Sequence, residues 1–313
     1  MSESKPDDIL SWENLVYLAD FLQAAQERQF RLLGGEPTLH PDFTEMTAYL
    51  LERGFEVVVF TSGVMPEGAL EKAVAALGHV SGDKLSFLCN LNDPVKTKAP
   101  KAEADAVHRF LEAFGPRITA GFNIYRNDFE LDFLFQLITQ YGLRRHLRLG
   151  LTHPIAGEKN LHIKTGDVEH IINRVFSYRP EFERLKVRPG LDCGFPMCRF
   201  TDEQLAWMYR HSGGRYDFGC APVVDIGPDM TVWSCFPLSA FHKRSLFDFD
   251  TFADVRNYYD GLHKQVRVEA GGVFGACDTC ESRDDRLCGG GCLSHSVAQF
   301  QHEERVRMPD VYL

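Results

Sequence analysis

Up to about residue 180, short apolar runs alternate with longer amphipathic ones, and this alternation limits the fold more than any other feature. "FRLLGG", "EVVVFTSG", "KLSFLCNLN", "RITAGFNIY" and "LRLGLTH" read as strands. "DFTEMTAYLLERG", "EGALEKAVAAL", "AEADAVHRFLEAFG" and "LDFLFQLITQYG" read as the helices between them. Ser11 is placed to cap one further helix ahead of the first strand, with Leu15, Leu18 and Leu22 at spacings of three and four. Apolar strands joined by helices of this length imply right-handed parallel units. The class is therefore α/β, as an open doubly wound sheet or as a full or partial barrel. In either arrangement, function belongs at the carboxyl ends of the strands.

Those ends read "GGEP", "TSG", "NLND", "NIYRND" and "LTHP", all rich in small or polar residues. One such loop is what any strand end needs to turn; five together predict a ligand-binding rim. In the first, Gly34 and Gly35 permit close backbone approach, and Pro37 biases Glu36 toward an extended conformation. Carbonyls and a carboxylate left free in this way suit an ammonium group, with a plain structural turn as the competing reading.

The final third is different in kind. Of nine cysteines, Cys89 stands alone inside an apolar strand, where it reads as a small core residue, and the other eight lie between Cys193 and Cys292. Cys277, Cys280, Cys288 and Cys292 fall within sixteen residues, with Gly289 to Gly291 allowing the chain to wrap tightly around an ion or cluster. "CAPVVDIGPDMTVWSCFPL" reads as a hairpin whose fold-back brings Cys220 near Cys235. With Cys193 and Cys198 the total is eight, the number that two four-thiolate sites need. Thiolates suit both zinc and iron–sulfur, so spacing alone leaves the metal open.

Composition narrows the partners. The chain has 313 residues, 44% of them hydrophobic, enough for one large domain and a smaller one. A formal charge of -10 without a long basic run does not indicate a nucleic-acid surface and suits small molecules or a basic peptide better. No apolar run reaches the length of a membrane span, and the start "MSESKPDD" is neither a signal nor a transit peptide. The expected compartment is the cytoplasm, where cysteines serve as metal ligands or reactive thiols rather than disulfides.

Taken together, the "GGEP", "TSG", "NLND" and "NIYRND" loops and the "CDTC" to "CGGGC" tail resemble the radical S-adenosylmethionine enzymes that carry a cysteine-rich C-terminal extension of the SPASM or twitch type. The resemblance spans nearly the whole chain. It implies a partial (β/α) barrel over residues 1–185 and a small cysteine-rich α+β domain over residues 186–313. It further implies that Gly34, Gly35, Glu36 and Pro37 contact the methionine moiety, with Ser62, Asn90 and Asn123 around the carboxylate, ribose or adenine. Cys220, Cys235 and Cys292, with Cys193 or Cys198, would hold one auxiliary [4Fe-4S] cluster, and Cys277, Cys280 and Cys288 another. The extension usually has a further cysteine downstream of the last one here, so Cys193 would substitute for it, or that site is incomplete or zinc.

One departure stands out. The family's C-x3-C-x2-C loop, which holds the S-adenosylmethionine-binding cluster, has no counterpart, since no cysteine precedes Cys89. Either a first strand and its cluster loop lie upstream of Met1, or the protein lacks that cluster. The resemblance implies an enzyme that generates a 5'-deoxyadenosyl radical to modify a substrate, a peptide or protein in keeping with such extensions, and that draws on a reducing electron donor. This chain as written would not cleave S-adenosylmethionine reductively. The alternatives are a non-catalytic S-adenosylmethionine- or peptide-binding protein with a structural metal domain, and an ordinary barrel enzyme with a zinc-binding tail. Among isolated residues, His153 reads as facing substrate or as structural, His295 as a spare ligand, and Trp233 as core.

Overall fold

The computed structural model describes residues 8–214, 217–220 and 223–302. Over these, the chain divides into two compact units, the described parts of Met1–Phe122, Glu130–Arg148 and Leu185–Val187, and of Asn123–Phe129, Leu149–Arg184 and Arg188–Leu313. The residues before Asp8, with most of the polar start, lie outside the described set.

Six strands, β1 (Gln29–Leu32), β2 (Glu56–Thr61), β3 (Leu85–Asn90), β4 (Ile118–Ile124), β5 (His146–Leu151) and β6 (Arg188–Leu191), form one sheet in chain order. Pairing from β1 to β4 is parallel, with Leu32 opposite Val59, Thr61 opposite Cys89 and Asn90 opposite Gly121. Helices fill each crossover in the first unit: Phe43–Glu52, Glu67–Leu77, Lys101–Phe114 and Asp132–Gln140. Helices on the faces of a parallel sheet bury its strands, and β4 accordingly exposes only Asn123. The first unit's interior rests on residues such as Leu50, Val59, Leu85 and Ile118, none of which is exposed. Phe87 meets Phe110 edge to face at 5.2 Å. Each such side chain contributes about 1.5–3 kcal/mol on burial.

The five expected strands and their helices are present, and Ser11 caps the helix Trp12–Ala24 by accepting the Asn14 amide at 3.1 Å. Beyond the alternating region lies the further helix Val168–Phe176, whose Val168, Ile171, Ile172, Val175 and Phe176 are all buried. β6 begins at Arg188, hidden in sequence because Pro189 and Gly190 interrupt any strand pattern.

In the second unit the expected hairpin is formed by β7 (Val224–Ile226) and β8 (Thr231–Ser234), and β9 (Arg244–Ser245) adds a third antiparallel strand. The helix Phe252–Ala270, started by a Thr251/Asp254 capping box, is pinned to this sheet. Its Tyr259 hydroxyl lies 2.7 Å from the Val232 carbonyl and 2.8 Å from that of His242. Leu238, Val266, Leu293 and Val297 form the apolar cluster beneath, with Cys220 and Cys235 packed against it. No helix among the described residues is long and apolar enough to cross a membrane.

Candidate functional site

In the first unit, β1 ends in the glycine turn that the sequence singled out. Gly34 has φ +141°, a region L side chains rarely enter, and added methyls at Gly34 and Gly35 would meet nothing within 4 Å. The backbone there is open to a ligand. Glu36 is extended, as Pro37 predicts, but its carboxylate is not free. Oε1 accepts from the Thr38 hydroxyl at 2.7 Å and the Thr61 hydroxyl at 2.6 Å; Oε2 accepts from the Ser62 amide at 2.7 Å and the Ser62 hydroxyl at 2.6 Å. The carboxylate thus ties the loop after β1 to the end of β2, and it is the turn's backbone, not this side chain, that remains available for an ammonium group.

Asn90 closes β3 with its Oδ1 buried and without a partner among the described residues, and a methyl on Gly121 would lie only 2.8 Å from that atom. An orphaned acceptor beside a glycine is what a polar ligand would complete. Cys89, one residue earlier, is fully buried in the strand core, and burial, then the Glu36 charge, push its thiol pKa strongly upward. Asn123 belongs to the second unit. There it stands with Asp192 over Gly150, whose added methyl would lie 2.9 Å from Asn123 Oδ1 and 3.0 Å from Asp192 Oδ2. Asp192 gave no sequence signal.

The second unit sorts the eight clustered cysteines into two sets of four. Cys198, Cys277, Cys280 and Cys288 line one cavity of ≈ 210 Å³, together with Met197 and Arg283. Cys198 sits in the 3-10 turn Met197–Arg199, Cys277 in the turn Gly275–Thr279, and Cys280 just ahead of the short helix Glu281–Asp284. Cys288 is fixed by its bridge to Phe218 and by the Gly289 amide donating to the Phe218 carbonyl at 2.9 Å. The Gly290 amide lies 3.4 Å from Cys288 Sγ. Gly272 packs so closely on Cys277 that a methyl there would lie 2.5 Å from Sγ. Burial raises the Cys198 thiol pKa; Arg199 opposes this, and Cys277, Cys288 and Cys280 reinforce it.

Cys193, Cys220, Cys235 and Cys292 form the other set. The Cys235 thiol is pushed up by burial and then by Cys292, Cys220 and Cys193, and the Cys220 thiol by burial and by Cys292 and Cys193, with Arg267 opposing. Cys235, at φ +70°, follows β8 directly, its amide donating to the Val223 carbonyl at 2.9 Å. Cys292 precedes the helix Leu293–His302, its Sγ 3.1 Å from Ser294 Oγ. Burial favours its neutral thiol, but His153 and Ser294 bring it down to about 7. His153 is the reciprocal case: burial disfavours its charge, yet Cys292 and Cys193 raise it to about 10.

Of the open pairings, the structure places Cys193 with Cys220, Cys235 and Cys292, and Cys198 with Cys277, Cys280 and Cys288. Cys193 does not substitute in the second set; Cys198 stands there. Only five positions separate the two in sequence, and the turn Met197–Arg199 sends them to different places. His295, the expected spare ligand, is buried with its ring 5.4 Å from that of His153. Trp233 is half-buried on β8 under the Lys243 ammonium, 5.7 Å from its ring centroid. Among the described residues no three His, Cys, Asp or Glu side chains are arranged to hold a single metal ion.

Solved structures share the fold. SuiB of Streptococcus suis bound to S-adenosylmethionine matches with a TM-score of 0.60 at 14% identity, covering 95% of this chain and 69% of that one. SuiB bound to its precursor peptide SuiA matches with a TM-score of 0.59 at 14% identity over 91% of this chain and 66% of that one. Native anSMEcpe with bound AdoMet matches with a TM-score of 0.59 at 14% identity over 96% of this chain and 88% of that one. No curated protein matches the chain. The family model described as Radical SAM superfamily matches residues 2–130, the segment that carries β1 to β4 and the glycine turn. The likeness to that family model thus spans residues 2–130 of the 313.

Proposed function

We propose that the protein is a radical S-adenosylmethionine enzyme that modifies a peptide or protein. Residues 1–185 would form its core and residues 186–313 an auxiliary iron–sulfur domain of the SPASM or twitch type. The observation that carries the reading is the division of eight cysteines into two fours, one of them around a cavity of ≈ 210 Å³, in a chain whose residues 2–130 match the Radical SAM superfamily model. Four soft thiolate donors around a volume larger than one ion fit a [4Fe-4S] cluster better than zinc.

Within the core, the open backbone at Gly34 and Gly35 would receive the methionine ammonium, with Pro37 keeping Glu36 extended. Glu36 would hold the turn and Ser62 in register rather than touch the ligand. Asn90, through its orphaned Oδ1, would accept a hydrogen bond from the ribose or adenine. S-adenosylmethionine bound to a reduced cluster supplies a 5'-deoxyadenosyl radical, which abstracts hydrogen. The protein's part is to orient the nucleotide, exclude water and hold the auxiliary clusters, which would accept an electron or shape the substrate site. A peptide substrate is supported by SuiB, solved with a precursor peptide. The reaction requires a low-potential electron donor, which together with thiol ligands points to a reducing compartment such as the cytoplasm.

No cysteine precedes Cys89, so 5'-deoxyadenosine is expected only from a form that also carries a C-x3-C-x2-C loop. Anaerobic reconstitution tests the reading. Close to eight irons and eight sulfides per chain, with S-adenosylmethionine binding, is the expected result; a colourless protein with stoichiometric zinc would overturn it. Iron uptake without nucleotide binding would confine the claim to the auxiliary domain. Release of 5'-deoxyadenosine by the 313-residue chain with a strong reductant would show that the ligand set is misassigned.

A further inference from the structure

His153 lies in the loop after β5, where it was open whether the side chain faces substrate or is structural. Its ring packs on Gly194, which has φ +98° and where a methyl would lie 2.8 Å from His153 Nε2 and 3.4 Å from Cys292 Cβ. No other residue type could let the imidazole lie this close to the backbone that links Cys193 to the next turn. That one missing methyl separates His153 Nε2 from Cys292, and Cys193 and Cys292 are the two thiols that act on the ring. Its Nδ1 is buried and has no partner among the described residues, which leaves Nε2 as the atom facing sulfur. On the other side it meets the His295 ring edge to face at 5.4 Å, an arrangement that fixes the plane of the imidazole.

We infer that His153 is a tuning residue for the Cys193/Cys220/Cys235/Cys292 site, donating Nε2–H to a ligand sulfur and thereby raising the reduction potential of the cluster held there. The inference rests on the iron–sulfur reading above. Metal-bound thiolates are acceptors only, so the ring nitrogen that faces sulfur must carry a proton. A hydrogen bond to a ligand sulfur withdraws electron density and stabilises the more negative, reduced cluster more than the oxidised one. Hydrogen bonds to sulfur are among the levers that set such potentials. The other set lines a cavity with Cys198, Cys277, Cys280 and Cys288 and has no histidine in its lining, so the two sites would differ in potential.

The test compares the reconstituted full chain with His153→Gln and His153→Phe by iron and sulfide content and by a redox titration followed by electron paramagnetic resonance. Glutamine can place an N–H near the position of Nε2; phenylalanine cannot. We expect all three proteins to hold the same iron. One of two couples should fall in the Phe variant by about tenfold in the reduction equilibrium, about 59 mV for one electron, and stay near the parent value in the Gln variant. A Phe variant that loses one cluster while the Gln variant keeps both at parent potentials supports the same role, because the two differ in that N–H. Unchanged couples in both variants overturn the inference, as do equal falls in both, which would assign the effect to bulk rather than to the donor. Loss of iron in both would make His153 a ligand or a structural residue, and the inference fails again. A parent protein that takes up no iron overturns the reading on which it stands.

Discussion

Glu36 Oε2 accepts two hydrogen bonds from the same residue, the amide of Ser62 at 2.7 Å and its hydroxyl at 2.6 Å. Because Oε1 is taken by Thr38 and Thr61, this one carboxylate clamps the turn after β1 to the end of β2. Hydrogen bonds to a charged acceptor are worth about 1.5–3 kcal/mol each when broken. Glu36→Gln keeps the shape but places an NH2 against at least one donor. We expect it to lower unfolding free energy by about 2 kcal/mol and to weaken S-adenosylmethionine binding, read from urea denaturation and calorimetric titration. A variant as stable as the parent would show that the clamp is not carried by charge.

Gly121 offers the opposite combination, a change that spares stability and harms binding. The atom nearest an added methyl is Asn90 Oδ1 at 2.8 Å, the end of a side chain that can rotate away, and the next neighbours are at ordinary contact distance, 3.6 Å. Gly121→Ala should therefore cost less than about 1.5 kcal/mol of stability, as mild overpacking does. It would displace the orphaned acceptor of Asn90 and weaken nucleotide affinity about tenfold, or about 1.4 kcal/mol. An unchanged affinity would remove Asn90 from the binding site.

The parallel sheet was readable because its signals are local. β2 shows strict alternation of burial, and the helix Glu67–Leu77 begins and ends where the sequence pattern did. β6 was not, because Pro189 and Gly190 leave four residues without β propensity, and only the neighbouring strand makes them one. The glycine turn at Gly34 could be found from its backbone needs, whereas the engagement of Glu36 with Ser62, twenty-six positions away, could not. The same holds for the thiols. Cys277, Cys280 and Cys288 announce a site by spacing, but the fourth member, Cys198, is recruited by a turn that sequence does not distinguish from its neighbour carrying Cys193. Asp192 carried no motif and became visible only through Gly150, and the strand-end position of His153 left its role open until Gly194, whose missing side chain makes room for the ring, placed it beside Cys292.

Tyr259 holds the helix Phe252–Ala270 to two carbonyls, of Val232 and His242, through one buried hydroxyl. Burial, first of all, drives its pKa strongly upward, so the neutral donor is the state that folds. Tyr259→Phe keeps the ring and abandons both carbonyls. The expected cost is about 1–2 kcal/mol for the lost hydrogen bond and the acceptors left buried. Hydrogen exchange at β8 and along the helix should accelerate while the exchange of β2 and β3 stays as it was. Uniform acceleration would mean that the hydroxyl does not act locally.

The partition of the cysteines can be tested without knowing the substrate. If Cys198, Cys277, Cys280 and Cys288 serve one cluster and Cys193, Cys220, Cys235 and Cys292 another, removing any one thiol should abolish or impair only its own site. Cys198→Ala and Cys280→Ala should each lose up to about half of the auxiliary iron and sulfide, and the double variant should lose no more than the more severe single one, the non-additivity of residues that act as a unit. Cys198→Ala combined with Cys235→Ala should lose nearly all of it. Cys89→Ser, in the core of β3, should leave iron content unchanged while lowering stability, since it places a hydroxyl where nothing is exposed. If instead Cys193→Ala and Cys280→Ala prove redundant with each other, and Cys198→Ala adds to both, the assignment of these two neighbours must be exchanged.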